Sequence, residues 1–300
     1  MKVMRLLPGG GIVPGEAPVP AIGADEALVR VRVCGVCTSD MGVYKTGFAQ
    51  PEILGHEVVG VIADVGAEVT GFRLGDRVTG TLMQGYAEYA RIRACDLLHI
   101  PDNVSDREAI VEPVSCMFNA IRRSGIRAND RAIIVGAGYM GLLLAAILRA
   151  LGVGPVCSIG PQAAARVHAG EVGAVALAPD DPVGPCPFVF EATGAQSGLT
   201  LASRCAASGG TLCIVGYHPC ARQIDMAEWA AKALTVINAF EYDHANQLAA
   251  MARALELVAA GKLPIGRLMT HEFPFDQTDL AFRTHLCRPE GFIKGFVRVC

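Results

Sequence analysis

Residues 131–142 read RAIIVGAGYMGL. Four apolar residues, Ala132 to Val135, meet three glycines at Gly136, Gly138 and Gly141, and a second apolar run, Leu142 to Leu151, follows. The first run has the length and β-branching of a strand buried on both faces, and the second has the length of a helix. A G-x-G-x-x-G in that strand-to-helix context is a dinucleotide-binding fingerprint. Gly136 permits the tight turn, Gly138 lets the backbone approach a pyrophosphate, and Gly141 lets helix pack closely on strand. The diphosphate is expected at the helix N-terminus, beside Tyr139 and Met140, where free N–H groups and the helix dipole favour an anion.

Downstream, Pro155 to Ile159, Phe188 to Ala192 and Thr211 to Gly216 read as further strands separated by helical segments, with a long helical pattern over Gln247 to Ala260. Repeated strand–helix alternation predicts a doubly wound parallel sheet, α/β in class. An NAD site places an Asp or Glu at the end of the second strand, about 20 residues after the glycines. Here that strand ends Cys157-Ser-Ile-Gly160-Pro-Gln, with Gly160 in the ribose-facing position and no arginine before Arg166. NAD and NADP both remain open.

Upstream the texture differs. Residues 27–100 alternate short apolar stretches with Gly and Asp turns, as in Glu57-Val-Val-Gly-Val-Ile-Ala-Asp-Val-Gly, and predict an all-β barrel or sandwich without a helix. Met269 to Phe275 and Phe292 to Val299 read as strands that return to this first domain.

The chain of 300 residues exceeds what one core organises, so two domains are expected. Its formal charge of −3 carries no basic run, which excludes a nucleic-acid backbone as partner. The longest apolar run, Met140 to Leu148, falls short of the roughly 20 residues a membrane span needs. The start MKVMRLLPGG breaks its apolar cluster at Pro8 and lacks a secretion signal, and the eleven cysteines are odd in number and scattered. A cytoplasmic, reduced protein that handles small molecules is expected.

Cys34 and Cys37 form the chain's one C-x-x-C, so a four-cysteine zinc ribbon is excluded. His56 and Glu57 follow Cys37 by about twenty residues, in Gly55-His-Glu. A thiolate and an imidazole are two zinc ligands, and a catalytic zinc needs a third plus an open position. Glu112, in Glu112-Pro-Val-Ser-Cys116, is the candidate third ligand, with Cys116 as the alternative. Cys34 reads as a buried strand thiol. His168, His244 and His285 read as surface or cap residues, His99 and His271 as structural, Met226 and Trp229 as core, and Lys294 and Arg298 as solvated residues of a terminal strand. Tyr44 reads equally as packing or as facing a cleft.

The ordered motifs Gly35-Val-Cys-Thr-Ser-Asp, Gly55-His-Glu, Val65-Gly-Ala-Glu-Val, Gly75-Asp-Arg-Val, Gly85-Tyr-Ala-Glu-Tyr, Glu112-Pro and the Gly136 turn resemble the zinc-dependent medium-chain dehydrogenase/reductase superfamily, nearest its polyol and threonine dehydrogenase branch. The resemblance spans nearly the whole chain. It implies a GroES-like β-barrel catalytic domain over residues 1–118, completed by 262–300, with a Rossmann NAD(P)-binding domain inserted over 119–261. It implies one zinc ion held by Cys37, His56 and Glu112, with Glu57 as a neighbour that approaches the metal. It further implies that Ser39 takes the substrate proton and Asp40 orients His56, in a reversible oxidation of a secondary alcohol (a polyol, amino alcohol or biosynthetic intermediate) to a ketone. Substrate-pocket residues around Tyr44, Phe48 and Met83, and a homo-oligomer, dimer or tetramer, paired through the sheet edge near Thr235 to Phe240, are also implied.

Two departures stand out. No four-cysteine lobe for a structural zinc follows Gly75-Asp-Arg-Val, and Gly42 occupies the place of the relay histidine, so the proton must leave by water or another group. The rival readings are a metal-free NADPH-dependent enoyl or quinone reductase of the same fold and a non-catalytic NAD(P)-binding protein.

Overall fold

The computed structural model describes all 300 residues. In chain order it contains β1 (Lys2–Leu6), β2 (Ile12–Glu16), β3 (Glu26–Gly35), α1 (Asp40–Thr46), β4 (Glu57–Val65), β5 (Arg77–Gly80), β6 (Tyr89–Arg93), β7 (Leu97–His99) and α2 (Val114–Ser124). Then come β8 (Ala132–Val135), α3 (Tyr139–Ala150), β9 (Val156–Ile159), α4 (Ala163–Glu171), β10 (Val175–Leu177), β11 (Cys186–Glu191), α5 (Gln196–Cys205) and β12 (Ala206–Ile214). The chain closes with α6 (Met226–Ala231), β13 (Thr235–Asn238), α7 (His244–Ala259), α8 (Ile265–Leu268), β14 (His271–Pro274), α9 (Thr278–Cys287) and β15 (Gly295–Arg298).

Two compact units result. One comprises residues 1–113, 248–260 and 265–300, and the other residues 114–247 and 261–264. The first is built on a seven-stranded sheet in the order β14-β15-β3-β4-β5-β7, with β6 also pairing β3. Its pairings are antiparallel except β14 with β15. The C-terminal strand β15 lies directly against β3, with Phe296 opposite Gly35. Alternation explains most of β3: Ala27, Val29 and Val31 point into a core shared with Leu6, Ile62, Tyr86 and Phe282, whereas Arg30 faces water. The all-β expectation is corrected at one place. The segment after Cys37 forms the short helix α1, which buries Met41 and Tyr44. Seven residues with one glycine and two threonine- or valine-type side chains carry too weak a helical period to read, and packing rather than propensity holds them.

The second unit is a six-stranded, wholly parallel sheet in the order β10-β9-β8-β11-β12-β13. The strand sequence reverses direction at β8, the doubly wound arrangement whose ligands lie at the C-terminal strand ends beside the switch. All four residues of β8 are buried, and α3 is apolar nearly all round, as a helix packed within an α/β layer must be.

No helix is long and apolar enough to cross a membrane. All eleven cysteines are free thiols. Met226 is corrected from core to surface, being 65% exposed, while Trp229 packs on the second unit's core and donates its indole N–H to Ser203 Oγ at 2.9 Å.

A candidate metal centre and a glycine-rich nucleotide turn

Pairing of β3 with β4 sets Gly35 opposite Glu57. A Cβ on Gly35 would lie 1.9 Å from Glu57 Oε2, so only glycine leaves room for this carboxylate at the strand ends. Cys37 follows β3 by two residues and His56 precedes β4 by one, and the ladder therefore carries both to the same edge. The ligand atoms of Cys37, His56 and Glu57 all fall within 4.8 Å of one another. Ser39, exposed at the start of α1, donates from Oγ to Cys37 Sγ at 3.2 Å. Asp40 is buried with Oδ1 3.5 Å from His56 Nδ1.

The charges at this edge are arranged for a cation. Burial opposes the charging of His56, but the Cys37 sulfur, Asp40 and Glu112 outweigh it and push the imidazole up to about 10. Burial raises the Glu112 carboxyl to about 7 against the pull of His56, and burial also raises Asp40. Glu112 therefore lies near enough to act on His56, while the tightest set pairs Cys37 and His56 with Glu57. Glu57 is wholly buried, and its Oε2 accepts no hydrogen bond, as is also true of Asp40 Oδ2. A cysteine sulfur, an imidazole and three carboxyl groups, with two buried oxygens lacking a donor, match the donor chemistry of a divalent cation.

Two residues were misplaced by sequence reasoning. Lys294 is not solvated: it is 3% exposed, and its Nζ donates to Glu57 Oε1 at 2.6 Å. It directly precedes β15, which pairs with β3, a placement invisible without the tertiary register. His285 is not a surface cap either. It is 5% exposed on α9, its Nε2 sits 2.9 Å from Thr38 Oγ1, and burial together with Lys294 and Arg288 lowers it to about 3. The remaining bland readings survive. Cys34 is fully buried, His99 bonds Gly71 O and stacks on Phe72, and His271 packs beside Phe273 and Phe292. Tyr44 takes the packing role, tilted against Phe282 with its hydroxyl donating to Asp279 at 2.9 Å.

In the parallel unit the turn after β8 explains its glycines individually. Gly136 adopts φ +118°, and a Cβ on Gly141 would lie 1.8 Å from Gly136 O. A Cβ on Gly138 would meet nothing within 4 Å, so the backbone there opens outward, as approach of a diphosphate requires. Gly138 caps α3 without a side-chain hydrogen bond, and the first turn at Tyr139 and Met140 holds no acidic residue. Beyond β9, Gly160 packs on this same turn at Ala137.

A parallel sheet with this glycine turn is thus joined in one chain to a mixed sheet bearing a cysteine–histidine–carboxylate edge, the combination expected of a two-unit dehydrogenase. Comparison with known proteins agrees. Residues 23–102 match the Alcohol dehydrogenase GroES-like domain family. The chain is 26% identical to sorbitol dehydrogenase of Rattus norvegicus, over 89% of this chain and 87% of that protein. It is also 26% identical to 2-dehydro-3-deoxy-L-galactonate 5-dehydrogenase of Pseudoalteromonas atlantica, over 93% of each. Among solved structures, a Sinorhizobium meliloti protein described as a zinc-binding dehydrogenase and bound to NADP superposes with a TM-score of 0.88 at 25% identity, covering 99% of both chains. Galactitol-1-phosphate dehydrogenase of Escherichia coli shares the fold at a TM-score of 0.89, 22% identity and full coverage of both chains. These likenesses, over nearly the whole chain, are to zinc-type medium-chain dehydrogenases, and among the relatives to members of the polyol branch.

Proposed function

We propose that this protein catalyses the reversible oxidation of a secondary alcohol of the polyol class to a ketone, with transfer of hydride to NAD(P). The observation that carries the reading is the convergence of Cys37, His56 and Glu57 within 4.8 Å beside Glu112. Zinc, when bound, supplies Lewis acidity that lowers the pKa of the alcohol, and the nicotinamide accepts the hydride.

Cys37, His56 and Glu112 would hold the metal. Asp40 at His56 Nδ1 orients the ring and leaves its other nitrogen to the cation. Glu57 has one oxygen held by Lys294, so Oε2 is the one oxygen it would offer to a bound cation. Ser39 Oγ, next to Cys37 and open to solvent, takes the hydroxyl proton and passes it to water, because Gly42 offers no side chain for a relay. In the parallel unit the Gly136–Gly141 turn binds the coenzyme diphosphate at the start of α3. The cluster also argues against a metal-free reductase, which would have no use for Cys37 and His56 together.

The exposed edge strand β13, followed by Phe240 at 66% and Tyr242 at 86% exposure, supports a homo-oligomer paired through this edge. Metal analysis of the purified protein together with a screen of polyols under both coenzymes tests the proposal. One zinc per chain, lost in Cys37→Ala, and coenzyme reduction by a secondary alcohol are the expected results; full activity in metal-free protein would refute the mechanism.

A further inference from the structure

The coenzyme itself is decided at the end of β9, and the inference rests on the dinucleotide reading above. In a Rossmann unit the adenosine ribose faces the end of the second strand. A carboxylate there bonds the 2′-hydroxyl and repels a 2′-phosphate, whereas an arginine accommodates the phosphate. Position 160 cannot carry the carboxylate, because any Cβ on Gly160 would lie 2.6 Å from the Cβ of Ala137 in the glycine turn. Pro161 and Gln162, both exposed, are uncharged, and the first turn of α4 holds no acidic residue.

Arg166 lies on that turn and folds back over the strand end. Its Nη1 donates to Gly160 O at 2.9 Å and to Pro161 O at 2.8 Å. Nε and Nη2 bond nothing in the chain. One nitrogen of the guanidinium is thus anchored to backbone beside Gly160, while the Nε–Nη2 edge presents two parallel N–H donors. That edge matches two oxygens of a phosphate, and its planar, always-charged fork needs little further ordering to engage them. Two nearby acidic groups are engaged elsewhere. Glu171, at the far end of α4, pairs with His168 at 2.8 Å, and Asp181, after β10, accepts the Ala178 N–H at 2.7 Å.

We propose that Arg166 recognises a ribose 2′-phosphate, so that this dehydrogenase takes NADP in preference to NAD. Titration calorimetry of the full chain with 2′,5′-ADP and 5′-ADP, and with NADP and NAD, reads the preference without turnover. The 2′-phosphorylated ligand of each pair is expected to bind at least about tenfold more tightly, the scale of charge-assisted hydrogen bonds. Arg166→Met removes the difference while retaining 5′-ADP binding, which also reports that the variant is folded. Pro161→Asp, which adds a carboxylate beside the same ribose, reverses the order. Equal binding of 5′-ADP and 2′,5′-ADP by the wild type, or an unchanged ratio in Arg166→Met, would overturn the assignment and leave the dinucleotide site standing. Absence of binding by all four ligands would remove the dinucleotide reading and this one with it.

Discussion

Glu57 in the mixed-sheet unit and Glu191 in the parallel unit are both glutamates with no exposed surface, and they are treated in opposite ways. Glu191 is saturated. Its Oε1 accepts from the Thr193 and Gly194 N–H groups at 2.7 and 3.0 Å and from the Thr193 hydroxyl, and its Oε2 accepts from His218 Nε2 at 2.8 Å. Arg222 donates Nε–H to His218 Nδ1 at 2.9 Å, which assigns the ring proton to Nε2 and aims it at the carboxylate. Glu57 has one partner, Lys294, and an oxygen with none. A buried charge with every lone pair satisfied pins loops together; one left half satisfied is held ready for a further partner. The first arrangement serves the fold, and the second is the one on which the proposed metal site draws.

That contrast breaks most completely if the cation is denied its ligands. Cys37→Ala is expected to cut turnover more than about 100-fold, beyond the 10–100-fold that loss of a supporting partner costs, with zinc content falling in parallel. Next comes Lys294→Met, which strands the Glu57 charge in the core and should destabilise the metal-free protein by about 3 to 5 kcal/mol in urea unfolding. The double variant with Glu57→Gln should recover much of that, and strict additivity of the two losses would show that the pair is not coupled.

His218→Ala, by comparison, leaves Glu191 three donors and should cost about 1 to 3 kcal/mol in the same measurement. A loss as large as that of Lys294→Met would mean that Glu191 depends on one partner after all. The smallest effect belongs to Glu272, whose carboxyl is held below its ordinary value by the Arg298 guanidinium on the neighbouring strand. Its contribution is present above the unfolded pKa and is lost as pH falls through the lower folded value. With side chains 44% and 48% exposed, solvent screening keeps it under about 0.5 kcal/mol, measured as the difference between wild type and Glu272→Gln across pH 3 to 6.

Periodicity made much of this legible. The buried run Ala132 to Val135, the three glycines and the apolar helix after them carry their own local signal, and the motif order from Gly35 to Glu112 located Cys37, His56 and Ser39. Lys294 and His285 escaped because a lysine in Phe292-Ile-Lys-Gly-Phe and a histidine in a mixed helix look like surface residues. Only the pairing of β15 with β3, and the seat of α9 beside Thr38, bury them. The helix α1 was missed because seven residues hold too little pattern, and Met226 because an apolar side chain on a short helix does not declare which way it faces.

Local chemistry, then, was written in the order of residues: which strand is buried on both faces, where a turn demands glycine, which side chains can ligate a metal. The partners of those side chains were not, because they come from residues distant in the chain, Lys294 lying 237 positions from Glu57. Their meeting depends on strand register, because Lys294 leads directly into β15, and a slip of β15 against β3 would carry it away and leave Glu57 without its counter-charge.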